Sequence, residues 1–164
     1  MIFSTFNEFK KNFTKRNFTK KNFSQIYAIK NNPKLETIEK LIEIVSLSKD
    51  SFIFESVEKV KIRGRYTIFG FNPDLVVETN KNQVIQILNN KKKLIKANPY
   101  NYLNKLIKNF HFKTSKKLPL MSAIIAGYFG YDIIRFKEKI PNSCKNDLKI
   151  PDVKLIRPQL IVIH

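Results

Sequence analysis

Glu55, Ser56 and Arg65 are the residues whose types and spacing bear most directly on chemistry. They sit in Phe54-Glu55-Ser56-Val57-Glu58, followed by Gly64-Arg65-Tyr66-Thr67-Ile68-Phe69-Gly70-Phe71-Asn72-Pro73. An apolar strand that ends in Glu-Ser and returns through a Gly-Arg-Tyr strand brings polar groups to one end of a sheet. Glu55 accepts hydrogen bonds from an ammonium group, and Ser56 donates or accepts. Arg65 forks onto a carboxylate. The set suits a free amino acid, which carries both charges. A capped strand end with a surface ion pair, worth ~0–1 kcal/mol, accounts for the same residues. Residue chemistry alone leaves both readings open.

Other catalytic constellations are sparse. There is no Gly-rich phosphate loop of either standard spacing and no Gly-x-Ser-x-Gly elbow. Glu55 and Glu58 could act as an acid/base pair, but three residues of strand put them on opposite faces. Cys144 has Lys145 and Asn146 beside it, a weak setting for a nucleophile. Asp132 reads as a helix cap. With one cysteine and two histidines, His111 and His164, neither a disulfide framework within the chain nor a Cys-rich zinc site is expected.

The elements that must position Glu55 and Ser56 follow from periodicity. Ile38, Leu41, Ile42 and Val45 fall at i, i+3, i+4 and i+7, predicting a helix over 35–46. Glu36 and Glu39 near its start suit the macrodipole, and Thr37 or a neighbour is a candidate cap. Strands are predicted over 51–56 and 66–71, with Asn72-Pro73-Asp74 as a turn. Segments 75–79 and 83–88 flank Asn80-Lys81-Asn82 as a hairpin, and 94–97 pairs next, after a turn over 89–93. Pro99 opens a second helix through Phe110, with Leu103, Leu106, Ile107 and Phe110 on one face. Segment 124–131 reads as a buried strand whose two glycines allow close packing or a bulge, and a short helix from Asp132 carries Ile133, Ile134 and Phe136. Gln159 to the last residue reads as a final strand after Pro158. The sum is an α+β fold, a largely antiparallel sheet with two main helices packed on it. An apolar strand running to the last residue is expected to mark a truncated chain and to belong to a larger two-layer sandwich completed by a further domain.

The chain has 164 residues, 43% of them apolar, and a formal net charge of +18. A chain of this length suits one domain and can bury roughly 70% of the surface its unfolded form exposes. Its apolar runs are far shorter than the ~18–20 residues of a membrane span, and no signal-peptide stretch opens the sequence, so the cytoplasm is the expected compartment. Residues 1–24 form a Lys/Asn/Phe-rich arm, with Asn12-Phe13-Thr14-Lys15, Asn17-Phe18-Thr19-Lys20 and Asn22-Phe23-Ser24 repeating every five residues. Residues 25–164 form the domain. The charge invites a nucleic-acid reading. Yet only five of the 31 basic residues are Arg, and base recognition favours the Arg fork. Lys, Asn, Ile and Phe are all abundant, as AT-rich codon usage produces. Nucleic acid is therefore not the expected partner.

Five motifs in order resemble one family. They are Leu35-Glu36-Thr37, Phe52-Ile53-Phe54-Glu55-Ser56-Val57-Glu58, Gly64-Arg65-Tyr66-Thr67-Ile68-Phe69-Gly70, Ala126-Gly127-Tyr128-Phe129-Gly130-Tyr131-Asp132-Ile133-Ile134-Arg135, and the run Glu138-Lys139-Ile140-Pro141, Ile150-Pro151-Asp152 and Arg157-Pro158. From about residue 24 onward the chain resembles the N-terminal region of anthranilate synthase component I. The resemblance implies an enzyme, a carbon–oxygen lyase. With Mg²⁺ it converts chorismate and ammonia to anthranilate and pyruvate in tryptophan biosynthesis. A glutamine amidotransferase subunit, component II, supplies the ammonia. The chorismate and Mg²⁺ residues of that family belong to a C-terminal chorismate-binding domain, so this segment alone is expected to carry no catalytic residues and to bind no metal. Its implied role is to bind tryptophan as feedback inhibitor, with Glu55 and Ser56 carried over at the strand end, Phe54 facing the indole and Arg65 a further contact.

Departures from the family pattern are local. Ile38 stands where the family usually has Pro, and Lys59-Val60-Lys61-Ile62-Arg63 fills a stretch often rich in Gly and acidic residues. The alternatives are the N-terminal part of aminodeoxychorismate synthase component I, a sister enzyme, and a Lys-rich nucleic-acid-binding module.

Overall fold

One strand organises the molecule. In the computed structural model, which describes residues 35–56, 66–110, 118–141 and 148–164, β2 runs over Thr67–Asn80 and touches three other strands. One of its edges pairs first with β1 (Phe52–Glu55) and then with β3 (Gln83–Leu88). The other edge pairs with β6 (Val153–Ile163) along almost its whole length. β4 (Lys91–Ile95) lies outside β3, and β5 (Ala126–Phe129) lies outside β6. The sheet has six strands in the order β4-β3-β2-β6-β5, with β1 beside β2, and every pairing is antiparallel. The arm over 1–24, together with Glu58, Arg65, His111 and Cys144, lies outside the described residues.

The segment expected as a turn at Asn72-Pro73-Asp74 is instead an irregularity inside β2. Pairing with β6 shifts register between Pro73 and Leu75. Asn72 has φ 52°, a left-handed conformation that Asn adopts more readily than most residues. A bulge inserts one residue and so changes which side chains share a face. Ile68 and Gly70 lie opposite Ile163 and Ile161, whereas Leu75 and Val77 lie opposite Arg157 and Leu155. One face of β2 therefore takes even-numbered residues before the bulge and odd-numbered residues after it. That change of parity makes a single strand read as two. Pro158, opposite Pro73, lies inside β6, so the last strand starts six residues earlier than its Pro-bounded pattern predicts.

The core sits on this same face. Leu75, Val77 and Val84 pack with Val153, Leu155 and Leu103, all buried. Leu103 comes from helix α2 (Pro99–Lys108), two residues shorter than the sequence pattern. Its start is built by Asn98, whose side chain accepts from the Asn101 amide at 3.2 Å, and by Pro99 at the first helical position, where no N–H is needed. Helix α1 (Leu35–Leu47) touches β1 and β2 and buries Val45. It ends without glycine. Ser48 Oγ donates to the Ile44 carbonyl at 2.6 Å, and Ser51 Oγ to the Val45 carbonyl at 2.6 Å, which satisfies acceptors that the helix end leaves open.

The hairpin of β3 and β4 closes on Asn89 and Asn90 alone, at φ 48° and 63°. Two positive φ values match the twist of the flanking strands, and Asn tolerates them. β4 accordingly begins at Lys91, earlier than the apolar run at 94–97 predicts. The strand expected to be buried over 124–131 is the short β5 at the sheet edge, where only Ala126 is buried. Its Gly127, at φ 154°, lies so close to the Lys154 carbonyl that any Cβ would overlap it. Residues 131–136 form a 3₁₀ turn, with Gly130 and not Asp132 at its cap position. Asp132 instead pairs with Arg135 at 2.8 Å, and Arg135 also donates to the Ile140 and Pro141 carbonyls.

Candidate functional site

The Glu-Ser segment is built by pairing. β1 lies on β2 with Phe54 opposite Ile68 and Glu55 opposite Thr67. Thr67 is itself tied to His164, its amide donating to the His164 carbonyl at 2.8 Å and its carbonyl accepting from the His164 amide at 2.9 Å. Glu55, Thr67 and His164 therefore form one polar row across three strands. Side chains alternate along a strand, so Phe54 belongs to the opposite face. There it forms an apolar row with Ile68 and Ile163. Phe52 and Phe54 share that face, with ring centroids 4.6 Å apart.

The two rows have different characters. Ile68 is buried, while Phe54 is 43% exposed, so the apolar row is open to a further group. Glu55 and Ser56 are exposed, and the Glu55 carboxylate has no hydrogen bond or ion pair among the described residues. Glu55 is thus an available acceptor for an ammonium group beside a threonine hydroxyl. The structure brings Glu55 to Thr67 and His164, and Phe54 to Phe52, Ile68 and Ile163. It sets Phe54 and Glu55 on opposite sides of the sheet, so one small ligand can reach both only around the end of β1, where Ser56 follows. Arg65 lies outside the described residues. Sequence reasoning missed Thr67 and His164 as neighbours of Glu55, because the pairing that joins them is long-range and leaves no local pattern.

Two ion-pair systems hold the sheet that carries this site. Asp74, at the bulge, accepts from Arg157 Nε at 2.7 Å and Nη2 at 2.6 Å. Both side chains are mostly buried, and the two parallel bonds fix the crossing of β2 and β6. On the other face, Lys154 Nζ lies 2.6 Å from Asp50 and 3.1 Å from Glu78. This joins the turn after α1 to β2 and β6. Burial works against the Lys154 ammonium, but the hydrogen bonds and charges of Asp50 and Glu78 outweigh it and raise its pKa above the ordinary lysine value. Tyr128, in β5, is pushed up chiefly by burial.

Among the described residues, no three His, Cys, Asp or Glu side chains come together to hold a metal ion. No described helix is long and apolar enough to cross a membrane.

No protein-family model matches the chain. Individual proteins do. The anthranilate synthase component 1 of Acetivibrio thermocellus is 31% identical over 131 residues, 79% of this chain and 26% of that protein. That of Cereibacter sphaeroides is 28% identical over 146 residues, 85% of this chain and 29% of its own length. That of Pseudomonas aeruginosa is 28% identical over 118 residues, 70% of this chain and 24% of its own. The chain thus spans about a quarter of the length of the curated relatives it matches. The resemblance carried by the ordered motifs is therefore one to part of anthranilate synthase component 1.

Proposed function

We propose that this chain is the N-terminal, tryptophan-sensing part of an anthranilate synthase component I. The full-length protein would convert chorismate and ammonia to anthranilate and pyruvate in tryptophan biosynthesis, in the cytoplasm. Component II, a glutamine amidotransferase, would supply the ammonia. Mg²⁺ and chorismate would be held by residues of a further, chorismate-binding domain, and the segment described here would act by regulation. The observation that carries this reading is the similarity to proteins of one name over most of the chain.

Within this reading Glu55 receives the tryptophan ammonium and Ser56 hydrogen-bonds beside it. Phe54 and Arg65 complete the set that the family pattern implies. Tryptophan that bridges this segment and a second domain favours the arrangement in which the chorismate site is less competent. Chorismate must then oppose tryptophan by the same factor.

A hybrid tests the proposal. This chain replaces the matching region of the Acetivibrio thermocellus protein, and anthranilate fluorescence is followed with chorismate, ammonium and Mg²⁺. The expected result is an active hybrid inhibited by tryptophan. Glu55→Gln or Ser56→Ala should raise the inhibiting concentration more than tenfold with the uninhibited rate kept. An active hybrid indifferent to tryptophan removes the sensing role. An inactive hybrid, where the relative's own region restores activity, removes the family role.

A further inference from the structure

Acidic residues are unevenly placed along this chain. Between Glu78 and Asp132 there are ten lysines and no Asp or Glu, whereas residues 36–78 hold eight acidic residues against six basic ones. AT-rich codon usage accounts for abundant lysine, but it does not sort the acids away from one segment. The fold turns this segregation into a surface. β3, β4 and α2 occupy one end of the sheet, and β4 is its outermost strand. Lys91, Lys92, Lys93 and Lys96 run along that free edge, and Lys105 and Lys108 lie in the last turn of α2, which packs against β3. All six are exposed, and none has an ion-pair partner among the described residues. The acids nearest in the sheet are already engaged, Glu78 by Lys154 and Asp74 by Arg157.

We propose that the edge of β4 and the end of α2 bind the phosphate backbone of nucleic acid without reading its sequence. At ~3.4 Å per residue, Lys91 to Lys96 covers about 17 Å. A DNA duplex presents about ten phosphate charges over that length. Lysines are suited to such point-charge contacts, and the near-absence of Arg weighs against base readout and not against backbone binding. Lysine on an edge strand also blocks strand addition by another chain. Edge protection explains β4, but it explains neither the α2 lysines nor the missing acids. The proposal is independent of the tryptophan reading.

The test is fluorescence anisotropy of a labelled random-sequence 20-base-pair DNA duplex titrated with the full chain across a salt series. Log affinity should fall with log salt at a slope of about −4, for four to five phosphate contacts. The variant K91E/K92E/K93E should bind at least tenfold more weakly at 50 mM salt, with the slope reduced by about 2–3. K105E/K108E, on a different element, should weaken binding in the same direction. The control K40E/K49E/K139E makes the same change in net charge on acid-bearing segments and should stay within twofold of the parent. Equal loss in the control and the β4 variant overturns the proposal in favour of net charge alone. Absence of duplex binding at 50 mM salt overturns it, and so does tighter binding to poly-glutamate than to the duplex.

Discussion

The ring of Phe52 lies over Gly70, its cross-strand partner, in the space that a side chain on residue 70 would occupy. A Cβ on Gly70 would overlap the ring edge, so Gly70→Ala must displace Phe52 and disturb its contact with Phe54. Overpacking of this kind costs about 1–3 kcal/mol. Urea denaturation should show that loss in Gly70→Ala. In the Phe52→Ala background the same substitution should cost clearly less, because the two residues share one space.

Asp74 and Arg157 supply a second test. Their bonds cross the bulge where β2 changes parity. Asp74→Ala leaves a mostly buried guanidinium without its bidentate partner, at a cost of about 2–4 kcal/mol. Removing both groups in D74A/R157M should cost less than Asp74→Ala alone. A loss in the double variant equal to the sum of the Asp74→Ala and Arg157→Met losses would show that the pair does not act as a unit.

The Lys154 pairs predict an alkaline loss of stability. A lysine whose folded pKa is raised binds its proton more tightly in the native state. The stability it contributes is therefore complete below the unfolded lysine value, about 10.4. It disappears as pH rises through the raised folded value. Denaturant midpoints between pH 8 and 11.5 should fall more steeply for the parent chain than for Lys154→Met. The difference between the two curves should shrink toward the alkaline end, and a difference that stays constant from pH 8 to 11.5 would count against the pairs.

Gly127 pins β5 to β6. Its φ of 154° disfavours side chains, and the Lys154 carbonyl fills the site of a Cβ. Gly127→Ala should detach the edge strand first. Hydrogen exchange should then accelerate at the amides of β5 and of Gly130, which donates to the Asp152 carbonyl at 2.7 Å, while β2 and β3 remain protected.

Local pattern carried much of this fold into view. The apolar stripe of α1, the Asn98-Pro99 start of α2 and the alternation on either side of Asn80-Lys81-Asn82 each encode an element within a dozen residues. Where pattern failed, a distant partner decided. Asn72-Pro73-Asp74 has turn composition, but β6 supplies a continuous edge that carries the chain straight through as a bulge. The glycines and aromatics of 124–131 read as core. The strand instead ends the sheet, so Tyr128 and Phe129 are partly exposed. The candidate site divides in the same way. Glu55 and Ser56 stood out by residue type at a strand end. Thr67 and His164 did not, because only the pairing of β2 with β6 brings them beside Glu55.

That pairing has a consequence for synthesis. β2 meets β6 through partners roughly 75–95 residues apart, whereas β1 and β3 reach β2 from nearby in the chain. On a ribosome elongating at ~5–20 residues per second, β2 waits roughly 4–19 seconds with its long edge unpaired. During that interval the longest strand of the sheet offers a free template to any neighbouring nascent chain. Yield on expression should therefore depend on the speed of translation between β2 and β6 as well as on the stability of the finished sheet.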